Sequence, residues 1–270
     1  MVFAFVAIFV LISFFALHKH EVLSASAIKN TLATLSMLVF NVTTAPIVYL
    51  AAKYCREIYA SLHLPHVATT FWEGIPWLLV AIIGVATKDF ADYCSHRAMH
   101  TKWIWPIHAV HHSDTHVNGL TLYRIHLLEI LFMQVTYIVL LSWLGIPELL
   151  IATAYVIGSL HSAYVHFELD VDHGPLNWLV ASPRFHRWHH ADTPAAFGKN
   201  LANHMPLLDM MFGTYYNPGP CREKMGALSD DIPDHNGFKL LLLPFVLWQE
   251  RIASAISKTY ARLAQTRTQS

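Results

Sequence analysis

Nineteen of the 270 residues are histidine, and thirteen of them fall between His96 and His190. Three short runs carry the pattern: His96-Arg97-Ala98-Met99-His100, His108-Ala109-Val110-His111-His112 and His186-Arg187-Trp188-His189-His190. On a helix, residues three and four apart lie about one turn apart on the same face, so each run can aim imidazoles at a common point. One i, i+4 pair is weak evidence, because two histidines at a wetted helix end share that spacing. Two copies of an i, i+3, i+4 run change the reading, since each can send its ligands to one metal or split them between two adjacent metals. The remaining alternatives are proton sensing and heme ligation, and heme needs one or two axial histidines, not eight. Imidazole suits Zn, Cu, Fe and Ni, whereas Mg and Ca want the oxygen ligands these runs lack. A structural zinc site closes with four ligands, often thiolates. Cys55, Cys94 and Cys221 are too few and too scattered for that or for a disulfide framework. Eight imidazoles exceed one coordination sphere, so two metals in a redox dimetal centre are expected.

The elements that must position these runs are apolar. Hydrophobic residues make up 54% of the chain and charged residues 13%, with a mean hydropathy of +0.38. A soluble domain carries charge nearer about 25%. Eighteen Lys+Arg balance eighteen Asp+Glu, which leaves no basic field for a nucleic-acid partner. Apolar runs of spanning or near-spanning length lie at residues 2–17, 31–52, 75–93, 126–146 and 148–165, against the roughly 20 helical residues that cross a hydrocarbon core. The N-terminal run lacks a basic start and a small-residue cleavage site and is expected to be retained. Gly145-Ile146-Pro147 separates the last two runs, so a tight hairpin is expected there. Residues 94–125 and 166–238 then share one side. That side carries Lys88, Arg97, Lys102, Arg124, Arg184, Arg187, Lys199, Arg222 and Lys224, which by the positive-inside rule makes it cytoplasmic. Lys53 and Arg56 fall on the other side, against the rule. The expected fold is all-α: a polytopic membrane helical bundle with a cytoplasmic histidine-rich helical cap. Residues 1–30 form an N-terminal membrane helix and loop, 31–238 the histidine-bearing domain, and 239–270 an amphipathic interfacial segment interrupted by Pro244.

The chain resembles the fatty acid hydroxylase / sterol desaturase superfamily of membrane diiron enzymes from about Asn30 to Tyr216. The resemblance rests on Asp89-x-x-x-Tyr93-x-x-His96-Arg97-x-x-His100, Trp105-x-x-His108-x-x-His111-His112-Ser113-Asp114 and Thr121-x-x-Arg124-x-His126-x-x-Glu129. It continues through Pro183-x-x-His186-Arg187-x-His189-His190, Asn200 and Asp209-x-x-Phe212-Gly213-Thr214-Tyr215. Leu127, Leu201-Ala202 and Leu208 depart from the family pattern, outside the histidine boxes. The resemblance implies that His96, His100, His108, His111, His112, His186, His189 and His190 hold two Fe ions that activate O2. It adds His166 as a further ligand. Zn(II) outcompetes Fe(II) for nitrogen ligands and is expected to replace it in purified protein.

Other residues have two readings each. His161 is a further ligand or a hydrogen-bonding residue of the helical hairpin. His173 and His204 read more as solvated loop residues than as ligands, and His116 and His235 as surface residues. Asp89, an acid in an apolar helix seven residues before His96, is suited to accept an imidazole N–H and fix its tautomer. Asn200 and Asp209 serve in the same way or cap turns, and His126 with Glu129 forms a supporting pair behind the metals or at the membrane interface. The expected reaction is O2-dependent hydroxylation of an unactivated C–H in a lipid (acyl chain, sphingoid, sterol or carotenoid), with desaturation by the same centre as the alternative. A transporter would place ligands at mid-bilayer, and a catalytically inactive paralogue would have lost box histidines. The two electrons per turnover are expected from a donor in trans, a ferredoxin or cytochrome b5-like protein with its reductase. The expected location is an integral multi-pass protein of a bacterial inner membrane or of the endoplasmic reticulum.

Overall fold

A computed structural model of the chain describes residues 24–226, 232 and 235–268. Among them are α1 (Ala25–Ser61), α2 (Trp77–Met99), α3 (Trp105–His112), α4 (Leu127–Trp143), α5 (Glu148–Val165), α6 (Pro183–His189), α7 (Leu207–Phe212) and α8 (Gly237–Thr268). No strand occurs among the described residues; Ala191 and Met225 form an isolated antiparallel bridge. The apolar run expected at 2–17 lies outside the described residues.

Ser24 starts α1, its Oγ accepting from Ala27 N at 3.1 Å, which satisfies one of the free donors of the first turn. The helix runs for 37 residues, about 55 Å at 1.5 Å per residue. It passes beyond the expected 31–52 because Lys53, Arg56 and Glu57 are good helix formers and supply no stop signal. Only its first half is buried, through Ala27, Asn30, Ala33, Thr34 and Met37. Val39, Val42, Ile47 and Leu50 point outward.

The segment between α1 and α2 closes over the α4–α5 turn. Val67 N donates to Trp143 O at 2.8 Å, and Trp72 Nε1 to Leu144 O at 2.9 Å. Gly145 at this turn has φ 59°, and a Cβ there would lie 2.1 Å from Val67 O, so the expected tight hairpin requires glycine. Nineteen residues of α2, about 29 Å of rise, separate this end of the molecule from His96. α2 packs on α4 and α5, α1 on α4 and α8, and α3 on α8.

Among the described residues two helices are long and apolar enough to cross a membrane, α1 and residues Gly237–Ala261 of α8, while Leu127–Trp143 and Leu149–Val165 are shorter apolar helices. α2 differs because it buries Lys88, Asp89 and Asp92. In α8 the structure departs from expectation, since the helix continues through Pro244. Proline removes one i→i−4 bond there, and packing of Leu240 and Leu243 against Ala33 and Met37 of α1 and Trp105, Ala109 and Val110 of α3 holds the first turns in place.

Candidate metal centre

Four elements converge on the site. The last turn of α2 presents His96 and, at its C-cap, His100. Pro106 opens α3, which carries His108, His111 and His112. His166 is the C-cap of α5. Ser182 caps α6, its Oγ accepting from Phe185 N at 3.2 Å, with Pro183 at the first helical position. α6 brings His186, His189 and His190.

The nine histidines form two groups, each with ligand atoms within 4.8 Å of one another: His96, His100, His108, His112 and His189 in one, His111, His166, His186 and His190 in the other. Adjacent residues on a helix point about 100° apart. His111 and His112 therefore serve different groups, as do His189 and His190, and α3 and α6 stitch the two groups side by side.

The nitrogens crowd together in a way that calls for a cation. His96 Nε2 and His108 Nε2 are 2.9 Å apart. In the second group His166 Nε2 lies 3.2 Å from His111 Nε2 and 2.9 Å from His186 Nε2, and His186 Nε2 lies 3.2 Å from His190 Nε2. Metal–nitrogen bonds of about 2.0–2.1 Å place neighbouring ligand nitrogens roughly 2.9–3.4 Å apart in octahedral to tetrahedral geometry. Both ring nitrogens of His100, Nε2 of His112 and Nε2 of His189 are buried without a hydrogen-bond partner. Such orphaned acceptors are costly unless a ligand satisfies them. The residues fit two metal ions.

Four of the outer nitrogens are fixed. His96 Nδ1 donates to Leu201 O at 2.7 Å, His189 Nδ1 to Lys199 O at 2.8 Å and His166 Nδ1 to Ser162 O at 2.6 Å. A carbonyl partner requires the proton on Nδ1, which leaves Nε2 as the inward donor to a metal. His108 Nδ1 instead meets the Glu129 carboxylate at 2.8 Å. Burial holds all nine imidazoles below their ordinary pKa, His96 and His166 at about 4. For His100, His108, His111, His112, His186 and His190 the neighbouring imidazoles add to that effect. Near neutrality the site is therefore a set of uncharged lone pairs, the form that binds metal.

Several residues singled out from the sequence lie elsewhere. Asp89 does not reach His96. Seven residues of helix put the two about 10.5 Å apart along the axis, and the Asp89 carboxylate instead accepts from His204 N at 2.8 Å, His204 Nδ1 at 3.0 Å and Met205 N at 2.8 Å. His161 is in neither group; its Nε2 contacts Ala181 O at 3.2 Å and its ring stacks on His204. Asp89, Asp92 and His204 form a third group of metal-ligating type. It has its own cation, since Lys88 Nζ donates to Asp92 Oδ2 at 2.7 Å. The Asn200 side chain donates to Phe185 O and Tyr216 O and accepts from Tyr216 N, tying down α6. Asp209 accepts from Leu201 N at 2.7 Å and Ala202 N at 2.9 Å. His126 caps α4 through Leu128 N, and His173 pairs with Tyr164 and Val180 O.

A second buried network lies against the site. Arg124, fully buried, donates to Ser113 Oγ at 2.9 Å and Asn30 Oδ1 at 2.9 Å. Asp114 accepts from Asn30 Nδ2 at 2.7 Å and Thr121 Oγ1 at 2.6 Å. The network anchors α1 to the end of α3, immediately after His112. Its members lay within the quoted motifs or at their edge, but 84 and 94 residues separate Asn30 from Asp114 and Arg124, and no local spacing shows that pairing.

Comparison with known proteins gives the same direction. Residues 81–214 match the family model described as fatty acid hydroxylase. An ornithine lipid hydroxylase of Rhizobium tropici is 28% identical over 150 residues, 55% of this chain and 45% of its own. The human alkylglycerol monooxygenase is 31% identical over 164 residues, 60% of this chain and 34% of its own. A very-long-chain aldehyde decarbonylase of Oryza sativa subsp. indica is 32% identical over 185 residues, 66% of each chain. The chain thus spans less than half the length of these hydroxylase and monooxygenase relatives. No solved structure matches it. The match to the family model covers all three histidine boxes and His166, and the chain belongs to the fatty acid hydroxylase family.

Proposed function

We propose that the chain is a multi-pass membrane diiron monooxygenase that hydroxylates an unactivated C–H bond of a lipid. The observation that carries the reading is the pair of adjoining all-imidazole clusters, five and four histidines, built from residues that lie within the family match. The hydroxylase and monooxygenase names of two relatives support the reaction class.

When bound, the iron pair would supply the reductive activation of O2. One oxygen atom enters the C–H bond, and the other leaves as water with two electrons and two protons. The chain's own part is geometric and electrostatic. Nine neutral imidazoles add no negative charge to the metals, unlike the carboxylate-rich ligand sets of soluble diiron bundles, and this favours an electrophilic oxidant. His96 and His100 are partly exposed, whereas the other seven are buried, so oxygen and substrate reach the five-histidine side. There Trp105 and Phe197 flank His100, with ring centroids at 5.2 Å from it, and give an apolar approach suited to a hydrocarbon. We place the clusters on the cytoplasmic side of a bacterial inner membrane or of the endoplasmic reticulum, at the C-terminal ends of α2 and α5. Arg97, Lys102, Arg222 and Lys224 are exposed on this side and suit docking of an acidic electron carrier.

The experiment is lipid mass spectrometry of membranes with the chain, without it and with His108→Ala. The proposal expects a lipid heavier by one oxygen atom that is present only with the intact chain. A product lighter by two hydrogens would identify a desaturase, and unchanged lipids would overturn the proposal.

A further inference from the structure

The two clusters are alike in their inward nitrogens and unlike in what stands behind them. In the five-histidine cluster, His108 Nδ1 meets Glu129 Oε1 at 2.8 Å, with both side chains 3% exposed. The other Glu129 oxygen is buried and without a partner, so no competing cation or donor draws on this carboxylate. A second acid reaches the same cluster through one peptide group. His96 Nδ1 donates to Leu201 O at 2.7 Å, and the N–H of that same peptide, Ala202 N, donates to Asp209 Oδ2 at 2.9 Å. Amide resonance couples the two ends of a peptide group. An anion on its N–H makes its carbonyl a stronger acceptor, as in any polarised hydrogen-bond chain. Asp209 is fully buried and is further held by Leu201 N and Thr214 Oγ1.

The four-histidine cluster is backed differently, by neutral backbone groups. His166 Nδ1 rests on the uncharged carbonyl of Ser162, the His111 ring on the backbone of Arg124, and Nδ1 of His190 is without a partner. Asp114 exerts its charge on His166 from a distance, but its oxygens are taken by Asn30, Thr121 and the His116 N–H.

We propose that Glu129 and Asp209 are positioning residues that make the two metal sites unequal, so that the five-histidine cluster holds its ion more tightly and is the more electron-donating of the two. An anion hydrogen-bonded to the outer nitrogen raises the basicity of the inner one, and losing such a partner costs about 10–100-fold in metal affinity. The inference rests on the dimetal reading but not on the oxygenase reaction.

The test uses the full chain in detergent, loaded with Co(II) and challenged with excess EDTA, with cobalt absorbance followed in time. Wild-type protein is expected to release cobalt in two phases. His190→Ala identifies the phase that belongs to the four-histidine cluster. Glu129→Gln keeps the shape and a hydrogen-bond acceptor but removes the charge. It should accelerate the other, slower phase about 10–100-fold, shift the visible spectrum of that ion and leave the first phase unchanged. Asp209→Asn should act on the same phase more weakly, and it is read in place of Glu129→Gln should circular dichroism show that variant unfolded. A single release phase in wild type, unaltered release in the variants, or acceleration confined to the phase His190→Ala removes would overturn the inference. Failure to bind cobalt would overturn the dimetal reading with it. Unequal release by a chain that makes no lipid product would sink only the oxygenase reading.

Discussion

At the scale of single residues, the cost of the site is the burial of so many imidazoles against one another. Their pKa values fall, to about 4 for His96 and His166, while in the unfolded chain histidines titrate near about 6.5. Between these values the unfolded state binds more protons than the folded one. The metal-free fold is therefore at full stability above pH about 6.5 and loses it as the pH falls toward about 4. Thermal unfolding of metal-stripped protein in detergent should show a lower midpoint at pH about 5 than at about 7.5; a flat profile would mean the clusters are not buried as described. The histidines were legible from spacing, because the i, i+3, i+4 pattern is a property of one helix. The groups behind them were legible only in part, since Glu129 stands out as a candidate support behind the metals but its partner, His108, does not. Glu129 sits 21 residues from His108 and meets it only because α4 packs beside α3. Asp89 has the right face but the wrong height on α2, a distinction that a helical projection does not show.

At the scale of elements, α3 is the part on which both clusters depend, and Arg124 fixes its end to α1. With Arg124 replaced by Met, Ser113 Oγ and Asn30 Oδ1 lose a charged donor, and Asp114 keeps its buried charge without the nearby guanidinium. Removing one member of a buried charged network costs roughly 3–5 kcal/mol. Arg124→Met should lower the unfolding midpoint, open α1 to protease and loosen metal at both clusters. If the variant matched wild type in all three, the network would have no anchoring role. The helices themselves were largely readable, since apolar runs at 126–146 and 148–165 and the Gly145 turn appear as α4, α5 and the hairpin. The length of α1 was not, because helix formers carry it past its apolar run with no stop signal, and neither was the continuity of α8 through Pro244, which packing of its first turns holds. The buried Lys88–Asp92 pair was likewise hidden, as it depends on Tyr137 of α4 and Tyr155 of α5 surrounding it.

At the scale of the whole molecule, the clusters lie at the C-terminal end of α2 and the α4–α5 turn at its other end, which suits chemistry at one membrane surface. A monooxygenase of this design needs electrons from outside. We expect the purified chain with NAD(P)H and O2 to make no product. A ferredoxin or cytochrome b5 with its reductase should restore activity, which should decline as salt screens the exposed basic side chains; turnover with NADPH alone would contradict that. The central claim is that O2 is split at the histidine clusters and one of its atoms delivered to a lipid. Growth under ¹⁸O2 of cells carrying the intact chain or His186→Ala, followed by lipid mass spectrometry, decides it. One ¹⁸O atom is expected in a lipid of the wild-type cells and none in that lipid from the variant. A product oxygen derived from water, or equal labelling in both, would contradict it.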